Sequence, residues 1–100
     1  MYVELTDEHF TLYGKARSYL MALDTPDHIC YGFVLIALDE IYANADLAPI
    51  VRPNITDRAE LYAGAHEALT AMSSLDVDPL AHLLCIDDLE DLWAREQAER

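Results

Sequence analysis

His82 and Cys85 stand three positions apart in "PLAHLLCIDDLEDLW", and Cys30 lies in the apolar run "HICYGFVLIAL". A three-residue step keeps two side chains on one side of a helix, so the first pair shares a face. An imidazole with two thiols is the donor set of a soft-metal site such as tetrahedral zinc. The reading the sequence favours is a partly buried histidine beside two core thiols. There is no Cys-x-x-Cys pair and no His-Glu-x-x-His. None of the four histidines has a carboxylate three residues before it, the arrangement by which helical bundles present Glu-x-x-His ligands. His9, close to a helix start, reads as structural. No metal and no cofactor is expected.

Nucleophilic chemistry finds no better footing. Ser18, Ser73 and Ser74 are the only serines, and none sits in a Gly-x-Ser-x-Gly turn. The three glycines are isolated, so no phosphate-cradling loop is spelled out. The expectation is that the chain is not an enzyme.

Carboxylates are the abundant chemistry. Nineteen acidic against six basic side chains give a formal net charge of −13. Asp7, Glu8, Asp27, Asp57, Glu60 and Asp78 fall at or near helix starts, where they offset the positive end of the helix dipole and need no partner to explain them. One further cluster is Asp87, Asp88, Glu90 and Asp91. At 100° per residue, Asp87, Asp88 and Asp91 share the side of their helix opposite Leu89 and Trp93, and Leu80 and Leu84 fall on that same side. Leucines interleaved with aspartates on an exposed stripe suit a protein-binding surface. Apolar anchors would supply burial, and carboxylates would steer a basic partner and pair with its Arg or Lys. The plainer reading is a solvated face with two scattered leucines.

Four elements must carry these residues, each announced by a start signal. Thr6 caps "DEHFTLYGKARSYLMAL", with Leu5 able to pack on Phe10 as a staple. Thr25-Pro26 opens a second helix, Thr56 precedes "DRAELYAGAHEALTAM", and Asp78-Pro79 opens a fourth. The expected spans are about 7–23, 26–44, 57–73 and 79–97. No segment alternates with period two, so no strand is expected, and the fold class is all-α: a compact four-helix bundle forming one domain over residues 1–100.

Helix 1 groups Leu12, Ala16, Leu20 and Leu23, leaving Asp7, Thr11, Lys15 and Ser18 outside. Helix 3 groups Leu61, Ala65, Ala68, Leu69 and Met72, and helix 4 groups Cys85, Ile86, Leu89, Leu92 and Trp93. Helix 2 is apolar nearly all round, with Cys30, Phe33, Val34, Ala37 and Ile41 on one face. Tyr31, Leu35, Leu38 and Tyr42 extend that face, and only His28, Asp39, Asp46 and Glu40 mark a polar strip. Such a helix is buried on several sides. It is expected to be the central helix, or else to meet a second copy of the chain through Tyr31, Leu35 and Tyr42, making a homodimer. Short connections make helices 1 and 2, and helices 3 and 4, antiparallel neighbours. "ADLAPIVRPNI" is longer, is barred from helix by Pro49 and Pro53, and is expected to lie over the core through Leu47, Ile50, Val51 and Ile55.

The apolar run is about half of the roughly 20 residues a membrane span requires, and "MYVELTDEHF" has no basic n-region, so a cytoplasmic chain is expected. The acidic field repels phosphate backbones and anionic lipid, so neither nucleic acid nor membrane is an expected partner. The expected function is a small acidic inhibitor, immunity-type protein or adaptor that binds a basic protein. That is an analogy from charge and size.

Overall fold

In a computed structural model, which describes residues 6–26, 29–43, 47–75 and 79–99, four helices follow in order: α1 (Asp7–Leu23), α2 (Gly32–Ile41), α3 (Arg58–Leu75) and α4 (Pro79–Ala98). No strand occurs among the described residues. The chain is an all-α four-helix bundle.

Local chemistry sets most of the boundaries. Thr6 accepts a hydrogen bond from the His9 amide (3.1 Å) and caps α1. At α3 the capping side chain is Asp57, which accepts from the Ala59 amide (2.9 Å), rather than Thr56. Pro79 is the first residue of α4, where its missing N–H costs nothing. Leu5 and Asp78, the other expected start signals, lie outside the described residues.

The large departure is α2. It begins at Gly32, not Pro26, and ends at Ile41. Instead of starting a helix, Thr25 and Pro26 turn away from the end of α1. The Tyr31 amide donates to Asp24 (3.2 Å), and the Tyr31 phenol donates to Glu96 of α4 (3.0 Å). Satisfying these two partners fixes the approach to α2 and overrides the Thr-Pro signal.

Side-chain contacts define the arrangement. Arg58 reaches the Leu23 carbonyl, and Gly64 meets Tyr19, so α3 runs antiparallel to α1. Tyr42 meets His9 and Asp39 meets Arg17, so α2 is antiparallel to α1. Tyr62 stacks on Trp93 and Arg58 pairs with Glu96, so α3 and α4 are antiparallel; Tyr31–Glu96 and Tyr42–His82 do the same for α2 and α4. α1 packs on α2 and α3, and α4 packs on the same two helices, closing a four-cornered ring. Tyr13, Ala16, Leu20, Leu23, Val34, Leu38, Leu61, Ala65, Ala68, Leu69, Met72, Cys85 and Leu89 fill its centre.

No helix is central. The α1–α3 pair makes the most extensive contact, and α2 occupies a corner with one face in solvent. Since α2 ends beside the start of α1 while α3 starts beside its end, the segment between them must travel back along the bundle. It does so against α1, held by Arg17 Nη1 donating to the Ala48 carbonyl and by the Val51 amide donating to Ser18 Oγ (2.9 Å). This crossover covers Ser18, which is therefore buried rather than outside. It is anchored by the fully buried Ala48, whereas Leu47, Ile50 and Val51 are exposed, Ile50 at the edge of a surface cleft, and only Ile55 packs partly on the core.

Candidate protein-interaction surface

On the side of the ring formed by α2 and α4, the two antiparallel helices leave a groove of about 420 Å³. It is lined by Ala37, Glu40 and Ile41 from α2 and by Ala81, Leu84, Cys85 and Asp88 from α4. Its floor is apolar and each wall carries one carboxylate. The five residues expected on the outer stripe of α4, Leu80, Leu84, Asp87, Asp88 and Asp91, are all exposed. Leu80 is 62% and Leu84 56% accessible. Asp91 pairs with Arg95 one turn on (3.1 Å) in an exposed contact, of a kind worth only about 0.3–0.5 kcal/mol and readily exchanged.

The apolar contribution of α2 to this surface differs from expectation. Tyr31 is fully buried and Tyr42 is 5% exposed, and Leu35 packs partly against the core. These three residues are therefore spent inside the chain and do not offer a face to a second copy. The exposed face is Phe33, Ile36 and Glu40, with Phe33 78% and Ile36 58% accessible.

Polar partners decide which way α2 turns. Asp39 accepts from the Tyr13 phenol (2.6 Å) and from Arg17 Nε (2.9 Å) and Nη2 (3.2 Å), drawing its edge of the helix against α1. Tyr42 Oη lies 2.6 Å from Nε2 of both His9 and His82. A phenol has one proton to donate, so at most one imidazole accepts from it and at least one donates its own N–H. Tyr13 and Tyr31 are pushed well above the usual phenol range, by burial first and then by their hydrogen bonds to Asp39 and Glu96. Both stay neutral donors that hold α2 in register. With Asp39 turned in, Phe33 and Ile36 must turn out. Pattern reading missed them because a helix apolar on every side carries no marker of its solvent face. The available signal was the basic Arg17 on helix 1, able to claim Asp39.

The groups considered for chemistry are not assembled. Cys30 is exposed and Cys85 buried, so the expected pair of core thiols is half right. Among the described residues, no set of three His, Cys, Asp or Glu side chains converges to hold a metal, and Cys30, His82 and Cys85 form no such set. His66 and Glu90 meet at 2.9 Å above a shallow groove on the α3–α4 side, beside the stacked rings of Tyr62 and Trp93. The hydroxyls nearby are engaged elsewhere: Thr70 donates to the His66 carbonyl (2.8 Å) and Ser73 to the Thr70 carbonyl (2.6 Å). Among the described residues, no helix is long and apolar enough to cross a membrane. No protein-family model matches this sequence, and neither the curated proteins nor the solved structures contain a match to it.

Proposed function

We propose that the chain is a small acidic protein-binding module that docks a basic protein on the face shared by α2 and α4. One observation carries the reading: Phe33, Ile36, Leu80 and Leu84 are exposed on adjoining helices that also expose Glu40, Asp87, Asp88 and Asp91, with Leu84 lining the shared groove between Glu40 and Asp88. Solitary exposed leucines are ordinary. Several large apolar side chains exposed on two packed helices, accompanied by one sign of charge, are the composition of an apolar anchor with electrostatic steering. A partner segment with apolar side chains flanked by Arg or Lys fits it, with an apolar residue in the groove against Ala37, Ile41 and Leu84. Where those Arg and Lys bind phosphates in their own function, docking covers them, as an inhibitor or immunity-type protein would. A homodimer through the same face would bring the four carboxylates of each copy against those of the other, which opposes it.

The test is kinetic. A partner captured from the native host is purified, and its association is followed at rising salt with wild type, Asp87→Lys/Asp91→Lys and Phe33→Ser. The expected partner is basic. Reversing two charges should slow association by about tenfold or more and flatten its salt dependence. Phe33→Ser should mainly speed dissociation. A partner bound equally well by all three proteins would overturn this reading.

A further inference from the structure

On the opposite side of the ring, between the C-terminal half of α1, the start of α3 and the crossover, lies a cleft of about 570 Å³. The crossover is pinned to α1 at Ala48 and Val51, and beyond that point Arg52, Pro53, Ile55 and Thr56 line the cleft. The wall it forms leaves Met21, Ala22, Ile50, Ile55 and Leu61 around an apolar interior, with Arg52 and Arg58 lining the same cleft. The Arg58 guanidinium is committed to Glu96 and to the Leu23 carbonyl. Arg52 is not committed. Arg17, Arg58 and Arg95 each hold a carboxylate, whereas Arg52 is exposed and makes no ion pair or hydrogen bond among the described residues. In a chain with nineteen acids and six bases, an arginine left open beside an apolar cleft stands out.

The volume lies within the roughly 300–1,000 Å³ of small-molecule sites, which are mostly apolar with a few polar groups fixing orientation. A planar guanidinium matches a carboxylate at two points. The −13 charge of the chain opposes anions at long range, but that repulsion is screened beyond about 8 Å at physiological salt, so the adjacent guanidinium dominates at the site. We propose that this cleft binds a small amphipathic acid, with its apolar body against Met21, Ala22, Ile55 and Leu61 and its carboxylate on Arg52. The inference is independent of the protein-docking face.

Decanoate and the neutral decanol are the probes, titrated to low-millimolar concentration into the full chain. Binding is followed by methyl chemical shifts in wild type and Arg52→Ala. Saturable shifts at Met21, Ile50 and Ile55 are expected. Arg52→Ala should weaken decanoate by about tenfold, the value of a charged hydrogen-bonded contact, and leave decanol unchanged. Because Arg52 is exposed and without a partner among the described residues, the variant should fold normally, and matching circular dichroism would verify that. No saturable decanoate shift, shifts centred instead on Phe33 and Ile36, or equal decanoate affinity in the two proteins would each overturn the proposal.

Discussion

Arg58 at the first position of α3 and Glu96 near the end of α4 meet through two contacts, Nε to Oε2 at 2.9 Å and Nη2 to Oε1 at 2.6 Å, with the Glu96 side chain only 3% exposed. The same guanidinium reaches the Leu23 carbonyl at the end of α1, and the same carboxylate accepts from the Tyr31 phenol before α2. One ion pair thus ties all four helices at one end of the bundle.

Removing one partner of that pair strands the other in the core. Arg58→Ala should therefore cost about 3–5 kcal/mol, the usual price of an uncompensated buried charge. Replacing these three polar side chains at once, with Arg58→Met, Glu96→Leu and Tyr31→Phe, should leave the protein closer to wild type, because neither charge of the pair nor the Tyr31 phenol is then orphaned. Urea denaturation of the single and triple variants measures both. A single variant costing no more than the triple would show that the pair is not desolvated as described.

Gly64 of α3 is a second point of close approach. A Cβ at this position would run into the Tyr19 ring of α1, with Cδ2, Cε2 and Cζ all in the way. Alanine is worth about 1 kcal/mol more than glycine in a helix interior, whereas overpacking costs about 1–3 kcal/mol. Gly64→Ala should thus be neutral to destabilising by up to about 2 kcal/mol in wild type. In a Tyr19→Ala background the clash is gone and the same substitution should stabilise by about 1 kcal/mol. The difference between the two backgrounds, about 1 kcal/mol or more, is the readout. Equal effects in both backgrounds would contradict the contact.

These two relationships mark where the sequence stops being legible. Two of the four helices follow from their start signals and α3 from its apolar stripe, because Thr6, Pro79 and the Leu61–Met72 spacing act locally or within a single helix. The α2 boundary and orientation do not, because Asp24, Asp39 and Glu96 claim partners on other elements, and a local cap cannot compete with them. The outer stripe of α4 is legible for the same reason that α2 is not: Asp87, Asp88 and Asp91 have no buried cation calling them inward, whereas Arg17 calls Asp39. The crossover was recognisable from Pro49 and Pro53. Its anchoring through Ala48 was hidden behind larger apolar neighbours that face solvent.

The two cysteines should separate cleanly in reactivity and link stability to alkaline pH. Burial, with a smaller push from Asp88, raises the Cys85 thiol from 9.0 to about 11, while Cys30 is exposed. A thiolate is the reactive form, so iodoacetamide at mildly alkaline pH should label Cys30 in the native chain and reach Cys85 only on unfolding. The linkage has a definite sign. An acid whose folded pKa is raised holds its proton more tightly when folded, so its stabilising contribution is complete below about pH 9 and declines as pH rises towards about 11. Tyr13 and Tyr31, raised from 10.0 in the same direction, steepen that decline above about pH 10. Urea midpoints measured upward from neutral pH should therefore fall through this window, and Cys85→Ala, although less stable throughout, should fall less between pH 9 and 10. Equal slopes in the two proteins, or native labelling of both thiols at one rate, would mean that Cys85 is not enclosed between α2 and α4.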